Sequence, residues 1–278
     1  MYCSQQVVSV RTHAGQFTVA THTQETFRAK KLVLACGSCA YPQLTGTDSG
    51  YELAKSLGHT LVSPLPALSG LCMKEKAFAR LAGIKCQVRT TLKNNPAVQA
   101  EGELIFTNYG VNGPAALNIS SEISRTLAQG PVAVEINFFP QLTNPQEFFK
   151  TRLAHFGHRK PKDFFTGLLH ESIINLLIDF TGLRKNVPMR EQNPQRALQT
   201  LTAWPVTVTS LRPWKEAMVA TGGVKTREIN YNTFESHLCP GLFLIGEMLD
   251  VDGKSGGLNL HFAWASAFTA AQALVKEI

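Results

Sequence analysis

The stretch PGLFLIGEMLDVDGKSGGLN, residues Pro240 to Asn259, decides how this chain is read. Pro240-Gly241 makes a turn, Leu242 to Ile245 is a short uninterrupted apolar run, and Gly246-Glu247 ends it. Such a run has the pattern of a parallel strand covered on both faces, and open α/β sheets bind ligands beyond the carboxyl ends of their strands. Glu247, Asp250 and Asp252 therefore stand where carboxylates accept hydrogen bonds from the ribityl chain of a flavin or the ribose of a nucleotide. The same oxygens suit a hard cation, but no calcium-loop spacing with a closing glutamate follows, and no metal is expected.

Gly253, Gly256 and Gly257 then lead through Leu258 and Asn259 into an apolar helical pattern at Leu260, Phe262, Ala263, Trp264, Ala267, Phe268, Ala271 and Leu274. Glycines ahead of a helix let the backbone approach a ligand, and the first-turn N–H groups favour anionic character. The N1/C2 edge of a reduced flavin has that character, and amides aimed at it ease hydride acceptance at N5. A mobile glycine turn capped by Asn259 before a core helix accounts for the same residues without a ligand. His261 either faces a flavin edge or packs beside Trp264. Thr221-Gly222-Gly223-Val224 is a second place where a strand runs into paired glycines, and a tight turn explains it equally well. Neither glycine site completes a G-x-G-x-x-G or phosphate-loop motif.

Upstream, Val8, Val10, Phe17, Val19 and Phe27 alternate around Ala14-Gly15, the pattern of a hairpin or small meander. Lys31 to Ala35 is a second buried parallel strand, ending at Cys36-Gly37. Asp48 or Thr47 caps a short helix that Gly58 closes, and Pro64 and Pro66 break regularity. Alternation at Ile84, Cys86, Val88 and Thr90, with strand-like runs at 103–106 and 132–138, makes the middle region mostly β. From Gln146 to about Thr200 the period turns helical, before Val206 and Val208 resume alternation. The fold class is thus mixed α/β and multidomain. An outer domain of residues 1–70 and 215–278 is interrupted by a β-barrel-like domain (71–140 and 201–214), itself interrupted by helices (141–200).

The charge is 27 basic against 20 acidic residues, and its densest basic run, His158-Arg159-Lys160-Pro161-Lys162, reads as a solvated loop. No aromatic-basic interleaving marks a nucleic-acid motif, so no nucleic-acid partner is expected. No apolar run reaches membrane-spanning length, and six cysteines spread over 278 residues fit reduced thiols in cytoplasm. Cys36-Gly37-Ser38-Cys39 has the spacing of a redox pair, which would make a flavin-linked disulfide reductase. No Ser-His-Asp set can be assembled from local sequence.

The tract from Glu216 to Asn230, with Phe234 to Ser236, Gly241 to Gly253 and Gly256 to Asn259, resembles the BaiN-type (YhiN-like) bacterial flavoproteins. Blocks at Leu32 to Gly37, Gly50 to Glu52, Pro64 to Leu68 and Gly102 to Thr107 carry the same resemblance. It implies a glutathione-reductase-like FAD domain with the barrel and helices inserted, FAD as cofactor, NAD(P)H as donor and a small-molecule substrate. It also implies that Ala35-Cys36-Gly37 lies near the ADP half. Gly222, Gly223, Gly246, Glu247, Asp250 to Gly253 and Gly256 to Asn259 would line the flavin and ribityl chain. Family activities include reduction of unsaturated steroid-like substrates and oxidation of aminoacetone. Two departures stand out: members begin with a strand, a G-x-G-x-x-G loop and a helix, and often carry His where this chain has Asn108. The chain is therefore expected either to be a truncated, cofactor-free remnant that acts at most as a binding module, or to be completed by a separate N-terminal segment; a second copy of itself, in a homo-oligomer, is the other partner expected.

Overall fold

The computed structural model describes residues 1–44 and 46–276, in two compact units, Met1–Leu68 with Pro213–Ile278 and Ser69–Arg212. In the first unit β1 (Val7–His13), β2 (Gln16–Thr21) and β3 (Thr26–Ala29) form an antiparallel meander. Ala14 and Gly15 both take positive φ, 48° and 76°, as a two-residue hairpin loop between His13 and Gln16 demands. Val10 and Phe17 are buried, but Val8 is 55% exposed, because the register shifts between Val7 and Ser9 and rotates it outward.

Strands β4 (Leu32–Leu34) and β13 (Leu242–Leu244) run parallel, with Leu32 opposite Leu242. All three residues of β13 are buried. β4 departs from the expected two-sided burial: Val33 is 38% exposed, since alternate side chains point to opposite faces and no described residue covers that one. Helix α1 (Ser49–Ser56) buries Tyr51, Leu53 and Ala54, and Thr47 Oγ1 accepts from the Ser49 N–H at 3.2 Å while Asp48 makes no side-chain cap. Strand β5 (Leu61–Ala67) pairs antiparallel with β12 (Val219–Val224). Pro64 and Pro66 lie inside β5 rather than breaking it. They are two residues apart, so both missing N–H groups fall on one edge, and only β12 pairs with this strand.

The last helix, α7 (Gly256–Lys276), is not a core helix: only Ser266 and Ala270 are buried. It lays its small side chains against the tight turn Gly246–Met248, where Ser266 Oγ accepts from the Gly246 N–H at 2.9 Å. Leu260, Trp264 and Phe268, spaced by four, are left outward, with Trp264 78% exposed.

The second unit is a closed six-stranded barrel. Its strands are β6 (Leu71–Met73), β7 (Lys85–Leu92), β8 (Gln99–Phe106), β9 (Gly110–Asn112), β10 (Val132–Asn137) and β11 (Trp204–Leu211). The order is β10-β11-β6-β9-β8-β7, and β10 closes the ring by pairing with β7 as well as β11, so no barrel edge is left open. Val132, Val134 and Ile136 alternate inward on β10. A helix the sequence pattern did not announce, α2 (Pro114–Thr126), buries Ala115, Ala116, Ile119 and Ile123 against β7 and β8. Between β10 and β11 the chain passes through α3 (Pro145–Phe156), α4 (Pro161–Phe165), α5 (Glu171–Thr181) and α6 (Gln195–Thr202). Trp204 sits in the core among Phe78 and Phe138, 5.3 and 5.7 Å between ring centroids.

Candidate functional site

The parallel strands β4 and β13 end side by side, tied by the Ile245 N–H donating to Leu34 O at 3.2 Å. Two loops leave from there. After β4, Ala35 and Cys36 are exposed and Gly37 is half-buried, and the Cys36 N–H donates to Met248 Sδ at 3.3 Å. After β13, Gly246 turns the chain with φ 68° and places Glu247 between three segments. Glu247 Oε1 accepts from Ser38 Oγ at 2.9 Å and from the Ala220 N–H at 2.8 Å. Burial pushes the Glu247 carboxyl above its ordinary value, against those two hydrogen bonds. One oxygen is therefore already spent on the chain itself, and only Oε2 is left for a ligand hydroxyl.

Asp250 is half-buried and its N–H donates to Val224 O at 2.9 Å, whereas Asp252 Oδ1 accepts from Thr221 Oγ1 at 2.8 Å. Each acid thus has its own neighbours. Among the described residues no three His, Cys, Asp or Glu side chains gather as metal ligands.

The paired glycines of the sequence play different parts. Gly222 and Gly223 lie within β12 rather than in a turn, at a register shift between Thr221 and Gly223. A Cβ on Gly223 would stand 2.6 Å from Met248 O, so its bareness is required by the chain's own packing. Gly256 and Gly257 are the opposite case. A Cβ on either would meet nothing within 4 Å, and among the described residues neither amide has an acceptor within the chain. Ser255 Oγ accepts only from the Leu258 N–H, at 3.3 Å. Asn259 does not cap the helix. From inside it, Oδ1 accepts from the Gly253 N–H at 3.0 Å, and Nδ2 donates to Gly253 O and Ser255 O at 3.0 and 2.8 Å, stitching the loop shut. The first turn of α7 thus offers two free N–H groups on a bare, solvent-facing backbone, the donor set that an electron-rich flavin edge fits. Leu258 and His261 are exposed beside it.

Tyr51 was not singled out in the sequence. Its buried hydroxyl has no hydrogen-bond partner, a rare state for a buried polar atom. The residue borders a cleft of about 510 Å³ that Cys39, Pro64 and Trp214 also line. Desolvation first, then interaction with Cys39 and Glu247, push the phenol well above its ordinary value, so it keeps its proton. Cys36 and Cys39 are both free thiols in the loop before α1, and no helix begins at them. Burial, then the charges of Asp48 and Glu247, push the Cys39 thiol up, against the activation a redox pair requires. Asn108 is exposed in the turn between β8 and β9.

The structure also assembles what local sequence could not. His59 Nδ1 lies 3.0 Å from Glu228 Oε2 and its Nε2 2.9 Å from Ser236 Oγ. All three residues are buried, and Ser236 Oγ accepts from the Leu238 and Cys239 N–H groups at 3.0 and 2.9 Å. The serine is thus closed to substrate, and the set works as a polar latch within the unit. Burial tends to raise the Glu228 carboxyl, but the bonds from Thr60 and His59 outweigh it and hold it below the ordinary value.

Two parallel strands ending at a carboxylate-bearing turn and a glycine-opened helix, with a six-stranded barrel inserted, define a Rossmann-like domain of mixed α/β architecture. The chain belongs to the HI0933-like family, whose "HI0933-like protein Rossmann domain" matches residues 1–273. It is 33% identical to a 3-dehydro-bile acid delta(4,6)-reductase of Clostridium scindens, over all of this chain and 69% of that protein. It is 30% identical to a ribosomal RNA dihydrouridine synthase of Escherichia coli, over 97% of this chain and 66% of the relative. A protein of the same name in Haemophilus influenzae is 28% identical, over 90% of this chain and 62% of the relative. The chain therefore spans about two thirds of the length of the curated relatives it matches. Family and reductase relative together support an FAD-type oxidoreductase in general. The expectation that nucleic acid plays no part is corrected by the two relatives whose names carry ribosomal RNA. No helix among the described residues is long and apolar enough to cross a membrane.

Proposed function

We propose that the chain forms the flavin-holding part of an FAD-dependent reductase that saturates a carbon–carbon double bond conjugated with a carbonyl group. The observation that carries this reading is the opening of α7. Gly256 and Gly257 present unpaired amides with open space beside them, a cradle that the chain's own packing does not explain. The names of the relatives supply the bond. A 3-dehydro bile acid with delta(4,6) unsaturation and the uridine that precedes dihydrouridine each hold a double bond conjugated with a carbonyl.

In this reading the arrangement is glutathione-reductase-like. Residues 1–70 and 215–278 bind FAD, 71–140 with 201–214 form the inserted barrel, and 141–200 its helical insertion. The chemistry FAD would supply when bound is hydride transfer, from NAD(P)H and on to the alkene carbon distal to the carbonyl, with a proton from water completing the carbon next to the carbonyl. The chain's residues bind and orient. The amides of Gly256 and Gly257, with Leu258 and Asn259, hold the pyrimidine edge of the ring, and Gly253 and Gly246 let the backbone come close. Glu247 Oε2, Asp250 and Asp252 take ribityl hydroxyls, Ala35 to Gly37 border the adenosine half, and Gly222 and Gly223 line the cofactor through backbone alone. His261, exposed on the first turn of α7, borders the same space.

The test is the visible spectrum of the purified chain after mixing with FAD and gel filtration. Flavin bands near roughly 375 and 450 nm that travel with the protein, and that bleach when NAD(P)H is added without oxygen, are the expected result. Flavin that separates completely from folded protein would refute the reading.

A further inference from the structure

We infer that the helices between β10 and β11 form an RNA-docking surface, a phosphate clamp at Arg152, Arg159 and Lys160 beside an aromatic-walled groove on α3. The inference deepens the reductase reading, on which it rests for RNA as the carrier of the reduced base.

Charge is divided unequally in this chain. Residues 69–212 hold 17 lysines and arginines against 10 acids, so the whole formal surplus of +7 falls there, while the other unit's 10 and 10 cancel. A net positive field confined to one unit is the electrostatic footprint of a polyanion partner. Within that unit most lysines around the helices are neutralised locally: Lys150 by Glu147, Lys162 by Glu171, Lys185 by Asp179. Among the described residues no carboxylate pairs with Arg152, Arg159 or Lys160.

The two arginines are also held together. Their guanidinium carbons lie 5.1 and 4.9 Å from the centroid of one ring, Phe156. Arg152 is fixed by donating from Nε and Nη2 to Phe164 O, at 2.9 and 2.7 Å, and from Nη2 to Thr166 O at 3.1 Å, which leaves Nη1 unspent. Desolvation first, and then the charge of Arg159, lower the Arg152 pKa. The loop that carries Arg159 is pinned by Met189 N–H to Arg159 O at 2.9 Å and Arg190 N–H to Gly157 O at 2.8 Å, so its main chain is set in advance. Two planar guanidiniums, one of them fixed by hydrogen bonds, suit phosphate oxygens.

Beside the clamp lies a groove of about 530 Å³ with Phe148, Thr151, Arg152, His155 and Phe156 along it. Bases splayed out of RNA loops stack on such rings and on arginine planes, while their phosphates meet the neighbouring cations. An acidic peptide without aromatic side chains would meet the charges but leave the groove unfilled.

The test is fluorescence anisotropy of a labelled RNA hairpin with an unpaired loop, titrated with the full chain across a series of salt concentrations. Arg159→Glu with Lys160→Glu should weaken binding by more than roughly tenfold and lower the slope of log K on log salt by roughly 1.4, about 0.7 per phosphate contact. The pair Arg28→Glu with Lys30→Glu, in the other unit, should change affinity less than about twofold under the same law. Circular dichroism confirms that both variants are folded. Equal loss in the two variants, no loss in either, no RNA binding by the parent chain, or equal affinity for polyglutamate of matched charge overturns the inference. Flavin binding is read on the same samples. Bound flavin without RNA binding defeats this inference alone, and RNA binding by a chain that never takes up flavin defeats the reductase reading alone.

Discussion

Replacing Gly257 with alanine should make the protein more stable and worse at its work. The substitution adds one methyl to the first turn of α7, where no atom of the chain lies within 4 Å of the new Cβ. Alanine is favoured over glycine in a helix by about 0.8–1 kcal/mol, somewhat less near an end, so a gain of about 0.5–1 kcal/mol is expected. That is roughly 1–4 °C in melting temperature for a unit of this size. The same methyl occupies the space assigned to the flavin edge. Forcing a methyl into a filled contact costs about 1–3 kcal/mol, or roughly 5- to 150-fold in the Kd for FAD. Thermal melts followed by circular dichroism give the first number, and quenching of flavin fluorescence on titration gives the second. Gly223→Ala is the control. Its Cβ would collide with Met248 O at 2.6 Å and its φ is 134°, so it should lose stability by about 1–3 kcal/mol through strain alone. An unchanged Kd in a stabilised Gly257→Ala would show that this turn does not meet the cofactor, and a lower melting temperature would show that the space beside it is not open.

Two titrations separate the buried carboxylates. Glu247 is pushed up by burial, so its contribution to stability is complete below the ordinary carboxylate range and is lost as pH rises through its folded value. Glu247→Gln, which keeps an acceptor oxygen for Ser38 and Ala220, should therefore melt at or above the parent temperature at pH 7, with the gap closing toward roughly pH 4. Thermal melts across that range check it, and a Gln variant weaker at pH 7 than at pH 4 refutes it. Glu228 is held down instead, so its contribution stands at neutral pH and is lost as pH falls through the folded value, below 4.5. Glu228→Gln should cost about 1.5–3 kcal/mol at pH 7, where it removes charged hydrogen bonds to His59 and Thr60, and should flatten the acid limb. Urea unfolding at pH 7 and again in acid measures both, and a variant as stable as the parent at pH 7 counts against the latch.

Features that depend on neighbours in sequence were legible. The run Leu242 to Ile245 announces β13 because a strand covered on both faces has no reason to alternate, and Ala14-Gly15 announces the hairpin because glycine takes the positive φ of a two-residue turn without strain. The helix after Gly257 was equally plain, but which of its faces is buried was not. That depends on the close approach of Gly246 and Ala263, which favours small residues and leaves the large ones outside. Pro64 and Pro66 misled because a proline's cost depends on whether a partner strand lies on that edge, a fact of topology. α2 was hidden by the strands around it, although Pro114 after Gly113 and apolar residues at 115, 116, 119 and 123 carry a helical start and period. In the site, the acids after β13 and the glycines before α7 were found, whereas Tyr51 was not, since an orphaned hydroxyl is a property of its surroundings. The latch at His59 joins residues 169 and 177 positions apart, beyond the reach of any local motif.

The uneven burial of the three tryptophans makes the chain its own reporter. Trp204 is sealed in the barrel core with its indole N–H unpartnered, Trp214 is half-covered, and Trp264 stands in water on α7. Emission from an indole in an apolar core lies to the blue of one in solvent, and only the latter is reached by a dissolved quencher. A collisional quencher should therefore silence Trp264 first and leave the light from the barrel. Loss of that protected blue component then times the opening of residues 69–212, while the quenchable red component follows whatever comes to rest against the outer stripe of α7.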